Sequence, residues 1–339
     1  MTDQPTLPPP ARRSAFEDKP VKPRKIGGSW LAWAIVLVLG GIVLIVEAPY
    51  ELAKWKYAAA LDAREKGQDE PAYQYLNEAM ERLPQKAEYK LRLAVWKLED
   101  GEYEGALALF QELMAIEPEN PVLLMMRSQA FQHLKRYPEA IADLKMVKRI
   151  SEATGLPERA ETLNTLAYAR AVAKLELDEA LVDAQEAVKL AGVDLTRKSG
   201  ILSDLVTNKR DTKEYHQEVA KARMNVASYV DTRGLVQLNL GLAEQARADF
   251  DQAIKLAVLA SKVTEERPQS SKVPAPEKTE KVPAKPEKTR QQKLMDRNMA
   301  VLYYHRGLSL QKLEREKEAE SDFAKATELL GREPDENLF

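Results

Sequence analysis

The sequence predicts an all-α chain: one transmembrane helix followed by a solenoid of helical hairpins. Three observations predict it. Residues 30–46 form an unbroken run of 17 uncharged side chains. Beyond that run, small, large and proline residues recur with a period of 34. The composition favours helix over strand, since 6% of residues are aromatic and 14 of 339 are glycine. An all-β barrel draws on many aromatic and β-branched strands joined by tight turns.

Charge and cysteine content remove several function classes. The 51 basic residues nearly cancel the 53 acidic ones, for a net charge of -2, unlike a strongly basic nucleic-acid binder. With no cysteine there is no disulfide, thiol nucleophile, iron–sulfur cluster or Cys-based zinc site. Three histidines, His133, His216 and His305, leave little for a His-rich metal site.

Residues 1–29 hold six prolines and almost no large apolar side chains, so they are expected to form a disordered tail. The predicted transmembrane helix covers 30–49. Counted from Gly27, its uncharged stretch has 20 residues, which span roughly 30 Å as a helix, the thickness of a bilayer core. Trp30 and Trp33 at one end, Tyr50 and Trp55 at the other, suit the two interfaces. A buried core helix and a cleaved signal peptide are the rival readings. Val46-Glu47-Ala48 resembles a small-x-small cleavage site, but Pro49 just past it argues against cleavage, and the leading tail is long for a signal. Six basic residues at 12–25 precede the run, against Lys54 and Lys56 within 47–61 after it. The more basic flank stays in the cytoplasm, which puts the body on the other side, the periplasm in a bacterium.

Ala72, Ala106 and Ala140 recur at intervals of 34, each followed four residues later by Leu76, Phe110 or Leu144. Pro84 and Pro118 close the first two units. This is the pattern of the second helix of a hairpin: the small residue lets two helices approach, the large one fills the space, and proline ends the helix. Hairpins are placed at 53–86, 87–120, 121–154, 160–194, 227–260 and 300–333, within a solenoid over 50–260 and a final unit over 300–339. Residues 196–225 read either as a charged helical insert or as a worn-down repeat carrying Tyr215, Val219 and Ala222. Residues 261–299 are expected to be a linker and lead-in. Five prolines lie between Val263 and Arg290, and Lys272–Thr279 is echoed by Lys281–Thr289, a composition that stays solvated.

The units resemble the tetratricopeptide repeat (TPR). The residues that carry the likeness are Asn120–Phe131 with Tyr137 and Ala140, and Leu163–Tyr168 with Leu177–Leu181. They continue with Asp231–Val236 followed by Phe250 and Ala253, then Tyr303–Leu308 followed by Ala319, Phe323 and Ala326. The likeness is incomplete, since Lys56, Lys90 and Leu124 stand where the family carries Trp. The resemblance implies protein binding along a face lined by the first helix of each repeat. By register the fifth position gives Tyr57, Leu91, Met125 and Asn164, and the ninth gives Leu61, Val95, Gln129 and Tyr168. Family members that grip C-terminal carboxylates use Lys and Asn at these two positions of the first repeat; Tyr57 and Leu61 disfavour such a clamp. The face suits an apolar peptide or amphipathic helix, although the same side chains could instead pack against the next repeat.

No catalytic motif stands out: there is no GxSxG, Walker A, HExxH or GxGxxG after a strand. The expectation is a non-enzymatic, membrane-anchored scaffold that binds another protein or peptide, with the bilayer contacted through 30–46 and no cofactor, metal or nucleic acid. A periplasmic chaperone-like holder of unfolded clients is the alternative, and an enzyme built on 196–225 a remote one.

Overall fold

The computed structural model describes residues 29–155, 159–210, 212–265 and 290–334. These are helical throughout and divide into two compact units, 1–86 and 87–339.

In the first unit, α1 (Ser29–Glu65) pairs with α2 (Asp69–Arg82). Ala53, Ala60 and Ala63 of α1 and Ala72, Leu76 and Ala79 of α2 are buried, so small side chains let the two backbones close. Lys56 and Glu78 bridge the pair at 2.6 Å. Across the expected boundary at residue 50 the helix is continuous, since α1 runs through Pro49 from the apolar run into the first hairpin. Among the described residues no helix is long and apolar enough to cross a membrane. Of the span expected at 30–46, the side chains of 30–32 and 39–46 lie outside the described ones.

The second unit contains α3 (Ala87–Glu99), α4 (Tyr103–Met114), α5 (Pro121–His133), α6 (Tyr137–Thr154), α7 (Arg159–Ala173) and α8 (Leu177–Thr207). It continues with α9 (Lys213–Asn239), α10 (Ala243–Glu265), α11 (Arg290–Lys312) and α12 (Glu316–Leu330). Each helix packs on the next, and α9 also packs on α7, which is a solenoid of antiparallel pairs. The period-34 residues form its spine: Ala106, Ala140, Phe110 and Leu144 are each 0% exposed. Sixteen residues separate each small residue of a first helix from the large one it faces. Ala94 clusters with Phe110. At Gly234 an added Cβ would lie 2.7 Å from the Phe250 ring, and at Gly307 2.5 Å from that of Phe323.

A second spacing of sixteen is polar. Arg127 donates two hydrogen bonds to Asp143, Arg233 two to Asp249, and Arg306 two to Asp322, all at 2.6–2.8 Å. This fork-on-carboxylate geometry lets a half-buried charge sit between paired helices. The tight turns within hairpins also repeat. Each closes with a bond from the residue after the turn to a carbonyl five back: Gln68 to Ala63, Glu102 to Lys97, Arg136 to Phe131, Leu175 to Arg170, Leu242 to Gln237 and Arg315 to Leu310. The residue before each donor is left-handed: Gly67, Gly101, Lys135, Lys174, Gly241 and Glu314. The extra residue of the fourth repeat is absorbed there, where Glu176 adopts a second left-handed conformation at φ 48.

Residues 196–225 are helical on either side of a turn. They are the last turns of α8 and the first turns of α9, joined by a short turn at 208–212. Tyr215, Val219 and Ala222 therefore sit on one helix that continues into the fifth hairpin. The final pair begins ten residues before the expected start at 300, since α11 opens at Arg290. The predicted tail at 1–28, the linker core at 266–289 and the last five residues lie outside the described residues.

Candidate protein-binding face

Positions five and nine of a first helix are one turn apart, so they share a face. In the first unit that face of α1 carries Tyr57, half-buried, and Leu61, 36% exposed. In the second unit Leu91 and Val95 are half-buried on α3, with Leu91 packed against the cluster of Ala94 and Phe110. On α5, Met125 is half-buried against Ile141, Leu144, Leu166 and Ala169, while Gln129 is exposed. On α7, Asn164 and Tyr168 are both half-buried. Leu91 and Met125 thus contribute to the core as well as to the face. Gln129 is the most open of these positions in the second unit.

The α7 stretch is the most polar part of the face. The Asn164 Oδ1 atom is buried without a hydrogen-bond partner. The Tyr168 phenol is held well above its ordinary range, first by burial and then by the negative charge of Asp231, with Arg297 opposing. His133, at the end of α5, is pushed down by partial burial and by Arg297, and its ring stacks on Tyr103 of α4 with centroids 4.5 Å apart. Asp231 of α9 is buried and lies 2.8 Å from Nδ1 of His305 on α11. The charges of α9 and α11 therefore act on side chains of α5 and α7.

Asp231 falls at the fifth position of its repeat by the same register, a usable signal in the sequence. His305 carries no such signal, since no local pattern joins residues 74 apart. Arg297 was missed because it precedes the expected start of the last hairpin. Among the described residues no group of three or more acidic or histidine side chains could hold a metal ion.

Family models of the tetratricopeptide repeat match residues 97–163 and 300–329. No curated protein matches the chain. Among solved structures, a tetratricopeptide repeat protein from Parabacteroides merdae is 16% identical, covering 83% of this chain and 98% of its own, with a TM-score of 0.43. MamA from Desulfovibrio magneticus RS-1, from residue 41 to its end, is 16% identical over 65% of this chain and 97% of its own, with a TM-score of 0.40. YrrB, a TPR protein with an unusual peptide-binding site, is 17% identical over 78% of this chain and 94% of its own, with a TM-score of 0.38.

Proposed function

We propose that this chain is a membrane-anchored TPR scaffold whose hairpin array binds another protein or peptide outside the cytoplasm. The anchor rests on the uncharged run at 30–46 and on the six basic residues at 12–25 that precede it. The first hairpin is a direct continuation of that helix, since α1 is unbroken to Glu65. No catalytic step is part of the proposal.

The observation that carries the binding role is Asn164. Its Oδ1 is a buried acceptor with no donor, one turn from Tyr168 on a face that also presents Gln129, Val95 and Leu91. A buried acceptor left unmade is costly, and rotation of the half-buried Asn164 amide toward a peptide N–H laid along this face supplies the missing donor. The half-buried Leu91, Val95 and Met125 give apolar side chains of such a peptide a place to dock.

The test is a crosslinking capture from membranes with the full chain in mild detergent, beside the variants Asn164→Leu and Gln129→Lys. One stoichiometric partner, lost in both variants while the melting temperature of Gln129→Lys is unchanged, supports a scaffold with this face. Many unfolded clients would instead point to a chaperone-like holder. Undiminished capture by both variants would move binding off the face. For the anchor, protease added outside spheroplasts should digest the body and spare the tail; a protected body overturns the topology.

A further inference from the structure

A recess of about 620 Å³ opens where the end of α6 and the start of α7 meet α8 and α9. None of the eight predicted face residues lines it. It is built by the feature that departs from the repeat: Arg197 of α8 and Ala222 and Asn225 of α9 line it, and all three fall outside the hairpins at 160–194 and 227–260. The lengthened helices thus form one wall, and the ends of α6 and α7 the other. The volume is within the range of small-molecule sites.

Eight polar side chains line it, among them Ser151, Glu152, Arg159, Glu161 and Tyr229. Ser151, on the last turn of α6, is 2% exposed, and its Oγ has no hydrogen-bond partner. A hydroxyl buried in that state wants an occupant. Tyr229 of α9 brings a phenol kept protonated to about 12, by burial and by the negative charge of Glu161, so it is available as a donor. Arg159 and Glu161, on the first turn of α7, line the recess and make no ion pair among the described residues. Asp194 does not compete for Arg159, because Arg197 at 2.6 Å and Lys198 at 3.2 Å already hold it. Leu190 and Ala191 add an apolar strip on α8.

We propose that this recess binds a small zwitterion of the amino-acid or short-peptide class, with its carboxylate on Arg159 and its ammonium on Glu161. Arg159 faces the same space as two carboxylates without an ion pair among the described residues, Glu161 and Glu152, which matches a ligand carrying both charges and disfavours a simple anion. The Ser151 hydroxyl and Tyr229 phenol supply hydrogen bonds to the body of the ligand, and the apolar strip takes a small side chain. The site is independent of the face on α3, α5 and α7, so either reading can fail without the other.

The test uses the full chain in mild detergent, titrated calorimetrically with the dipeptide Ala-Ala and, as control, with N-acetyl-alanine amide, which lacks both charges. Ala-Ala should bind saturably and the control should not. Arg159 is exposed, so Arg159→Gln keeps the fold; it should weaken Ala-Ala binding roughly tenfold or more. Tyr229→Phe should weaken it about three- to tenfold. No heat with Ala-Ala up to about 10 mM, equal binding of the neutral control, or an unchanged affinity in Arg159→Gln would each overturn the assignment.

Discussion

Gly234 and Gly307 show at the scale of single residues how this solenoid spends its space. Both face a phenylalanine ring so closely that a methyl group collides with it, at 2.7 and 2.5 Å. Distance alone ranks Gly307 as the tighter site. Freedom to move reverses the order, because Phe250 is 0% exposed whereas Phe323 is half-buried and can swing outward. Gly234→Ala should therefore cost roughly 1–3 kcal/mol and Gly307→Ala less than that, read from urea melts of the two variants. Equal costs would mean that ring mobility does not decide the outcome. Tyr229 offers a pH signature. An unfolded phenol loses its proton near 10.0, but the folded one keeps it to about 12. Between these values the folded state binds more protons, so this contribution is complete below pH 10 and drains away as pH rises to 12. Ultraviolet titration should show late phenolate steps, including that of Tyr168, and Tyr229→Phe should remove one of them.

Turns and caps set the lengths of the elements. Asn120 accepts hydrogen bonds from the N–H groups of Val122 and Leu123 at the start of α5, with Pro121 in the first turn, a strong start signal. The inner turns need one left-handed residue each, and glycine fills that place at 67, 101 and 241 but not at 135, 174 and 314. A side chain in that conformation costs more than glycine does, partly offset by the entropy glycine loses on folding. Lys135→Gly should therefore raise stability by about 0.5–1 kcal/mol. A thermal melt shows it directly, and a fall in melting temperature would mean that the Lys135 side chain contributes more than its backbone strain removes.

On the scale of the whole molecule, a solenoid is a chain of neighbour interfaces, each of which can open separately. The last hairpin belongs to the second unit by packing rather than by short connection, since residues 266–289 separate α10 from α11 in sequence. Two polar links help to hold it: Asp231 to His305 at 2.8 Å and Asp251 to Arg306 at 2.8 Å. Removing both with Asp231→Ala and Asp251→Ala should speed amide exchange in α11 and α12 well before that in α3 to α8. An even increase along the array would show that the links do not govern this interface.

Period, composition and proline placement were enough to specify helix, hairpin and the buried spine, because a 34-residue spacing of small and large side chains leaves one way to pack paired helices. Ala106, Phe110, Ala140 and Leu144 were legible for that reason. The fifth and ninth positions were legible as sharing a face of each first helix. What register could not say is how far each side chain is covered, and so Leu91 and Met125 turned out to serve the core as well. Only the tertiary structure decided where within 196–225 one helix ends and the next begins, since a charged amphipathic stretch carries no break that register could place. Only it brought Asp231 to His305, or set Ser151, Arg159, Glu161 and Tyr229 around one recess. Those groups meet because separate helices cross. Local pattern fixes which way a residue points along its own helix, and says nothing of what stands opposite.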